Sequence, residues 1–347
     1  MAGVARSLQY PADSYEMRLA GAVAASPVAL PPVAVPTQYF ERRMFADGVL
    51  ALPDGARLPY WGFEDPISAP GLKSLPSPVI RMREGATAQI RLEMLQNKGK
   101  PLGTAAAQGS RTGLSVETFA THIYQWQPRA SGTWLYQSHA ATPRDFEMGL
   151  FGLLVVDPAP DAAGRPLAFR NGPSYDREHF WVFDDVDPSW HDDALPPVSG
   201  ERAFVPKYFL VNGVANTEAL HHRDVAITAR PGEKVLIRLL NASYSLVKIS
   251  IEQFQGSIIS VDGAAIDTAQ SPWTSWIPVQ PDRPLFMATG SRHDLLIDLD
   301  PAKNPAVRGK SYKVTVEYLD LARRSVRNAN AQTPLYAGRA ETTITVA

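Results

Sequence analysis

Three observations predict an all-β chain made of two similar tandem β-domains. Thirty Pro and 24 Gly cut 347 residues into many short segments, a composition that suits strands and turns better than helices. Within those segments apolar and polar residues alternate. Ala88, Ile90 and Leu92 stand against Gln89, Arg91 and Glu93, one buried face and one wet face. A unit also recurs: a turn glycine is followed six residues later by Arg-Leu, at Gly85 with Arg91 and again at Gly232 with Arg238, 147 positions on. Leu153-Leu154-Val155-Val156-Asp157-Pro158 matches Leu295-Leu296-Ile297-Asp298-Leu299-Asp300-Pro301 at a similar offset, and two such anchors imply an internal duplication.

Residues 1–37 read as an extended, Pro-rich N-terminal arm lying over the first domain. Arg18 precedes an Ala-, Val- and Leu-rich run from Leu19 to Val35, but Pro27, Pro31 and Pro32 break it as a helix. Asp13 and Glu16 spoil the basic leader that a signal peptide requires. The first domain is expected over 38–165 and the second over 166–347, with their junction near Pro158 to Pro173.

In the first domain a strand from Tyr39 turns at Asp47-Gly48, and Asp54-Gly55 marks another tight turn. Tyr60 to Glu64 follows, then Val79 to Leu92 as strand, turn at Glu84-Gly85, strand. The second domain opens with a strand over His179 to Phe183. Next comes an acidic stretch (Asp184, Asp185, Asp187, Asp192, Asp193) interrupted by Pro188 and Trp190. Its spacing is not that of an EF-hand, so a solvated linker is expected there. Tyr208 to Val211 runs into an Asn212-Gly213 turn, Ile249 to Val261 is strand-like, and the last strands are Tyr312 to Tyr318 and Glu341 to Val346.

Composition excludes several functions. A net charge of −1 argues against a general nucleic-acid or anionic-membrane binder. The chain has no cysteine, which removes disulfides, thiolate catalysis, Cys-ligated zinc and a blue-copper site, since that site needs a thiolate beside two imidazoles. No apolar run reaches the roughly 18 residues of a transmembrane helix, and no phosphate loop, nucleophile elbow or His-Glu-x-x-His motif occurs.

The most informative stretch is Gly132-Thr133-Trp134-Leu135-Tyr136-Gln137-Ser138-His139, leading through Met148-Gly149-Leu150-Phe151-Gly152 into Leu153 to Pro158. It resembles the end of the first domain of multicopper oxidases. Phe209 to Gly213, Pro231-Gly232-Glu233, Ile237 to Ala242, Ile259 to Gly263 and Gly290 to Leu296 are similar to that family's middle domain, so the resemblance covers roughly residues 40 to 320. It implies two tandem cupredoxin-like domains, each a Greek-key β-sandwich.

The same resemblance implies lost copper chemistry. The family's first His-x-His pair corresponds to Gln96 to Phe119, which holds no histidine. The second pair falls on Gln137 and His139, and a glutamine amide is a poor copper ligand beside a neutral imidazole. The remaining family ligands lie on a His-Cys-His segment of a further domain that has no counterpart before Ala347. His139 is thus the one candidate residual metal ligand, its alternative being a leftover that caps a loop. No cofactor is expected, copper included, and no autonomous oxidase activity. The expectation is a copper-free structural, assembly or protein-binding module. The alternative is a subunit or fragment whose copper site another chain or domain completes. A periplasmic or extracellular location follows from the family alone.

The other histidines have plain readings. His122 is expected at a solvent edge or hydrogen-bonded on an alternating strand, His221-His222 on a surface loop, and His293 packed near a sheet edge. Trp273 and Trp276 sit in a Pro-bounded loop. Two tryptophans there mark either a contact surface for a protein partner or a second copy, or a loop folded back over the sandwich.

Overall fold

A computed structural model describes residues 6–8, 35–94, 121–138, 143–191, 204–266, 275–304, 309–320 and 335–347. The first sandwich comprises β1 (Arg6–Leu8), β2 (Gln38–Ala51), β3 (Arg57–Glu64), β4 (Ser77–Arg83), β5 (Ala88–Met94), β6 (Thr121–Trp126), β7 (Gly132–Gln137), the one-turn helix α1 (Arg144–Glu147) and β8 (Phe151–Asp157). Its sheets run β1-β6-β5-β2-β3 and β4-β8-β7. Part of the N-terminal arm thus enters the fold: β1 pairs antiparallel with β6, Arg6 opposite Gln125.

The second sandwich comprises β9 (Arg177–Val186), β10 (Tyr208–Val211), β11 (Val214–Ala215), β12 (Ile227–Ala229), β13 (Lys234–Asn241), β14 (Leu246–Ile251), β15 (Gly256–Val261), β16 (Ala264–Ala265), β17 (Ile277–Val279), β18 (Leu285–Met287), β19 (Arg292–Asp298), β20 (Lys310–Asp320) and β21 (Leu335–Val346). Single 3-10 segments lie at Pro188–Trp190 and Asn216–His221. One sheet runs β11-β10-β9-β13-β19-β15-β16 and the other β12-β21-β20-β14-β18. The chain is therefore all-β, in two tandem sandwiches, as its sequence predicts.

The internal repeat is real, but only one of its two sequence anchors marks equivalent strands. In the first sandwich β5 pairs parallel with β2 and antiparallel with β6. In the second β13 pairs parallel with β9 and antiparallel with β19. Arg91 and Arg238 hence occupy corresponding strands. The other anchor fails. β8 pairs parallel with β4, so its counterpart is β21, the parallel partner of β12. β19, which carries Leu295-Leu296-Ile297-Asp298, corresponds to β6 instead. Runs of aliphatic residues closed by Asp recur wherever a buried strand meets a turn, and do not identify which strand.

Two expected local features also change. Asp47-Gly48 is not a turn, because β2 continues to Ala51. The register with β3 slips between Phe45 and Gly48, so one extra residue on β2 is absorbed as a bulge. Gly48 is there for close approach: a Cβ would lie 2.6 Å from the Tyr60 ring. Ile249 to Val261 is two strands, since the chain leaves one sheet after β14 and enters the other at β15, turning at Gln253 with φ 61°.

The sandwiches are joined by apolar surface. Phe45, Leu50, Leu52 and Tyr60 pack with Val186, Tyr208, Leu210 and Ala215. Phe146, Phe151 and Leu153 pack with Val182, Leu240 and Ala242. Each large side chain buried in such clusters contributes about 1.5–3 kcal/mol. β13 is buried along nearly its whole length, because its inner face meets the core of its own sandwich and its outer face meets the first sandwich and the 158–176 segment.

Candidate functional site

The Gly132 to Gln137 segment forms β7, an outer strand of the three-stranded sheet, and its free edge faces the second sandwich. Side chains alternate along it. Trp134 and Tyr136 turn inward against Ile80, Met82 and Val156. Leu135 faces the other way, into the interdomain cluster with Val182 and Leu240, and Thr133 shares that face.

Thr133 is the polar centre of the junction. Its hydroxyl donates to Asp294 Oδ1 at 2.5 Å and accepts from Arg238 Nη1 at 2.9 Å. Arg238 Nη1 is also 3.5 Å from Asp294 Oδ1, and Arg238 Nε donates to Glu178 Oε1 at 2.6 Å. Arg81 of the first sandwich reaches the other Glu178 oxygen and Asp157. Arg238 and Asp294 are completely buried. Burial opposes the charge on Arg238, but Asp294 and Glu178 outweigh it and raise the guanidinium further. For Asp294 burial pushes the carboxyl up while Arg238 and Thr133 pull it down. The short hydroxyl contact and the adjacent guanidinium are the geometry of an ionised Asp294.

Glycines bring the backbones close enough for this network. Gly132 has φ 143°, and a Cβ on it would stand 3.1 Å from the Gly263 carbonyl oxygen. Gly263, at φ 79° in the hairpin turn between β15 and β16, would place a Cβ 2.6 Å from the Trp134 ring. The motif residues Gly132, Thr133, Trp134, Arg238, Gly263 and Asp294, scattered in sequence, therefore meet in one interdomain contact.

Beyond β7 the chain is tied to α1. Ser138 N donates to Leu150 O at 3.0 Å and Ser138 Oγ to Asp145 Oδ2 at 2.6 Å. His139 lies outside the described residues, as do Gln96 to Phe119, Asp192, Asp193 and Trp273. Trp276 is 37% exposed just before β17.

The described histidines are dispersed, and three expectations about this region are corrected. His122, on β6, is not at a solvent edge: it is buried beside Tyr124, ring centroids 4.4 Å apart, with Nε2 lacking a hydrogen-bond partner. It shares the inward face of β6 with Tyr124 and Trp126, and burial lowers its pKa. His293 is not near an edge: β19 lies between β13 and β15, and burial lowers the imidazole to about 4. The Asp184, Asp185 and Asp187 stretch is not a solvated linker. β9 extends to Val186, and all three acids are buried where it meets α1. The sequence signal was the Val186 that continues the strand beyond the aspartates. His221 is exposed.

Among the described residues no three His, Cys, Asp or Glu side chains converge to hold a metal ion. Among the described residues the donors are a poor match for a copper cluster: imidazoles that do not converge, a glutamine at position 137, and no thiolate in the sequence. Nor is any helix of the described residues long and apolar enough to cross a membrane.

No family model matches the chain, and no curated protein does. Solved structures do. The blue copper oxidase from Nitrosomonas europaea superposes with a TM-score of 0.61 at 18% identity, covering 89% of this chain and 86% of that one. The copper nitrite reductase from the same organism gives 0.57 at 18%, covering 90% and 94%. The laccase from Botrytis aclada gives 0.58 at 17%, covering 92% of this chain and 54% of its own. The architecture, the repeat and the junction motifs together give this chain the tandem cupredoxin fold shared by multicopper oxidases and copper nitrite reductases.

Proposed function

We propose that this chain is a copper-free relative of multicopper oxidases that acts through its surface, as a structural, assembly or protein-binding module. One observation carries the reading: the family-like motif residues retained here serve the domain junction. Thr133, Arg238 and Asp294 bind one another across it, while Gln137 stands where the resemblance places a copper-binding imidazole. The chain also lacks the thiolate that a copper relay needs. A two-sandwich scaffold whose motif residues bind one another rather than a metal favours a scaffold role. The partner is another protein or a second copy of the chain, Trp276 is a candidate contact residue, and the location is periplasmic or extracellular.

Metal content after copper loading, with the mass in solution and recovery of bound proteins, tests this. The expected result is no stoichiometric copper, together with self-association or a specific protein partner. A strict monomer with no partner argues against the module. Stoichiometric copper that disappears in His139→Ala replaces it with the second reading, a subunit whose copper site another chain completes.

A further inference from the structure

The junction of α1 with the end of β9 buries acids from both sandwiches. Glu147 comes from the first, and Asp184, Asp185 and Asp187 come from the second, each at most 4% exposed. None of these four has a Lys or Arg ion pair among the described residues. Neutral donors hold them instead. Glu147 Oε1 accepts from Asp187 N at 2.9 Å. Asp185 accepts from Tyr244 N at 2.8 Å and Ser245 Oγ at 2.5 Å. Asp187 accepts from Ser189 N and Val205 N. Among the described residues Asp184 accepts from the adjacent Asp185 N through Oδ1, and its Oδ2 is buried without a hydrogen-bond partner.

Other titratable groups face this cluster. Arg144 and Asp145 lie on α1. His191 follows the Pro188–Trp190 segment, with Nε2 3.3 Å from Glu147 Oε1 and Nδ1 2.7 Å from Pro59 O. Tyr244 follows β13, and Tyr318 and Asp320 lie on β20. Like charges sharing one water-excluded space cannot all stay ionised, because each loses its hydration and repels the next. The contacts Glu147 to Asp187 and His191 to Pro59 also cross between the sandwiches, so the charge on this cluster acts directly on the joint.

We propose that the neighbouring acids Glu147 and Asp184 hold a proton at neutral pH, and that releasing it to solvent at alkaline pH loosens the junction between the two sandwiches. Burial first, then the neighbouring carboxylates, push Glu147 and Asp184 well above the usual carboxylate range, and burial brings Asp185 up to about 6. The folded protein then keeps a proton that the unfolded chain gives up at about pH 4. This stabilisation is complete at acidic pH below the unfolded value, and is lost as pH rises through the folded values.

The test uses the full chain, with unfolding midpoints and proton release on unfolding measured from pH 5.5 to pH 9, and small-angle scattering at both ends. The wild type is expected to lose midpoint with rising pH, to release about one proton per molecule on unfolding near pH 7, since the unfolded chain holds fewer, and to expand at pH 9. Asp184→Asn is expected to flatten the pH slope, raise the alkaline midpoint and keep the compact radius. Glu147→Gln serves the same purpose if Asp184→Asn does not fold. A wild-type midpoint independent of pH overturns the proposal. So does a variant that keeps the wild-type slope, or a slope abolished by His191→Asn but not by either acid variant.

Discussion

The Thr133 hydroxyl of the first sandwich lies 2.5 Å from Asp294 Oδ1 of the second, 161 positions away in the chain. This contact ties the most recognisable sequence motif of one domain to that of the other. Thr133→Val keeps the shape of the side chain but removes both hydrogen bonds, leaving buried polar groups unsatisfied. A loss of about 1–3 kcal/mol is expected, measured by urea unfolding at neutral pH.

Arg238 pairs at once with buried Asp294 and partly buried Glu178. Arg238→Met leaves Asp294 and Glu178 without their common cation, and a loss of about 3–5 kcal/mol is expected, as for any buried pair broken on one side. Adding Asp294→Asn to Arg238→Met should recover part of this loss. A double variant no more stable than Arg238→Met would show that the two residues are not energetically coupled.

Gly263 permits the close approach of Trp134. Gly263→Ala forces a Cβ into the indole at a backbone conformation with φ 79°. The combined strain and overpacking should cost about 1–3 kcal/mol. Gly55→Ala is the control: it has a similar φ of 85° with no atom within 4 Å of the added Cβ, so the difference between the two variants isolates the packing clash.

Asp54 joins the domains at their surface. It accepts from Tyr208 Oη at 2.8 Å and Lys207 Nζ at 3.1 Å, and the Tyr208 hydrogen bond, with Ala56 N and Lys207, holds its carboxyl down to about 2. A depressed folded value means stability that is present above about pH 4, the unfolded value, and lost as pH falls through the folded one. Asp54→Asn is expected to flatten the acid limb of the stability profile. An NMR titration of Asp54 with an ordinary midpoint would refute the assignment.

Trp276 is exposed and should contribute little to folding. Trp276→Ala is expected to leave the unfolding midpoint within about 0.5 kcal/mol of wild type while weakening self-association or partner capture, measured by sedimentation. Unchanged association would remove it from the contact surface.

Fold class, strand alternation and the duplication were legible in the residues because they are local. Alternating faces, turn glycines such as Gly85 and Gly232, and an absence of cysteine are properties of short windows or of counts. Tertiary structure decided what those windows could not. Arg238 reads as one more outward residue of a strand like Arg91, yet Arg91 is half-exposed beside Glu41 and Glu93, while Arg238 is buried because the first sandwich covers the outer face of β13. Asp184 and Asp185 read as a solvated loop, since carboxylates at the end of an apolar run normally stop a strand. Here β10 pairs with β9 through that position, Leu210 opposite Asp184, and α1 closes over it. Burial is set by what packs from elsewhere in the chain, and no local pattern encodes that. The sequence by itself determined two β-domains and a chain without a thiolate. Only the packing of one sandwich on the other decided that Thr133, Arg238 and Asp294 would form a joint, and that Glu147 and Asp184 would share a space too dry for both charges.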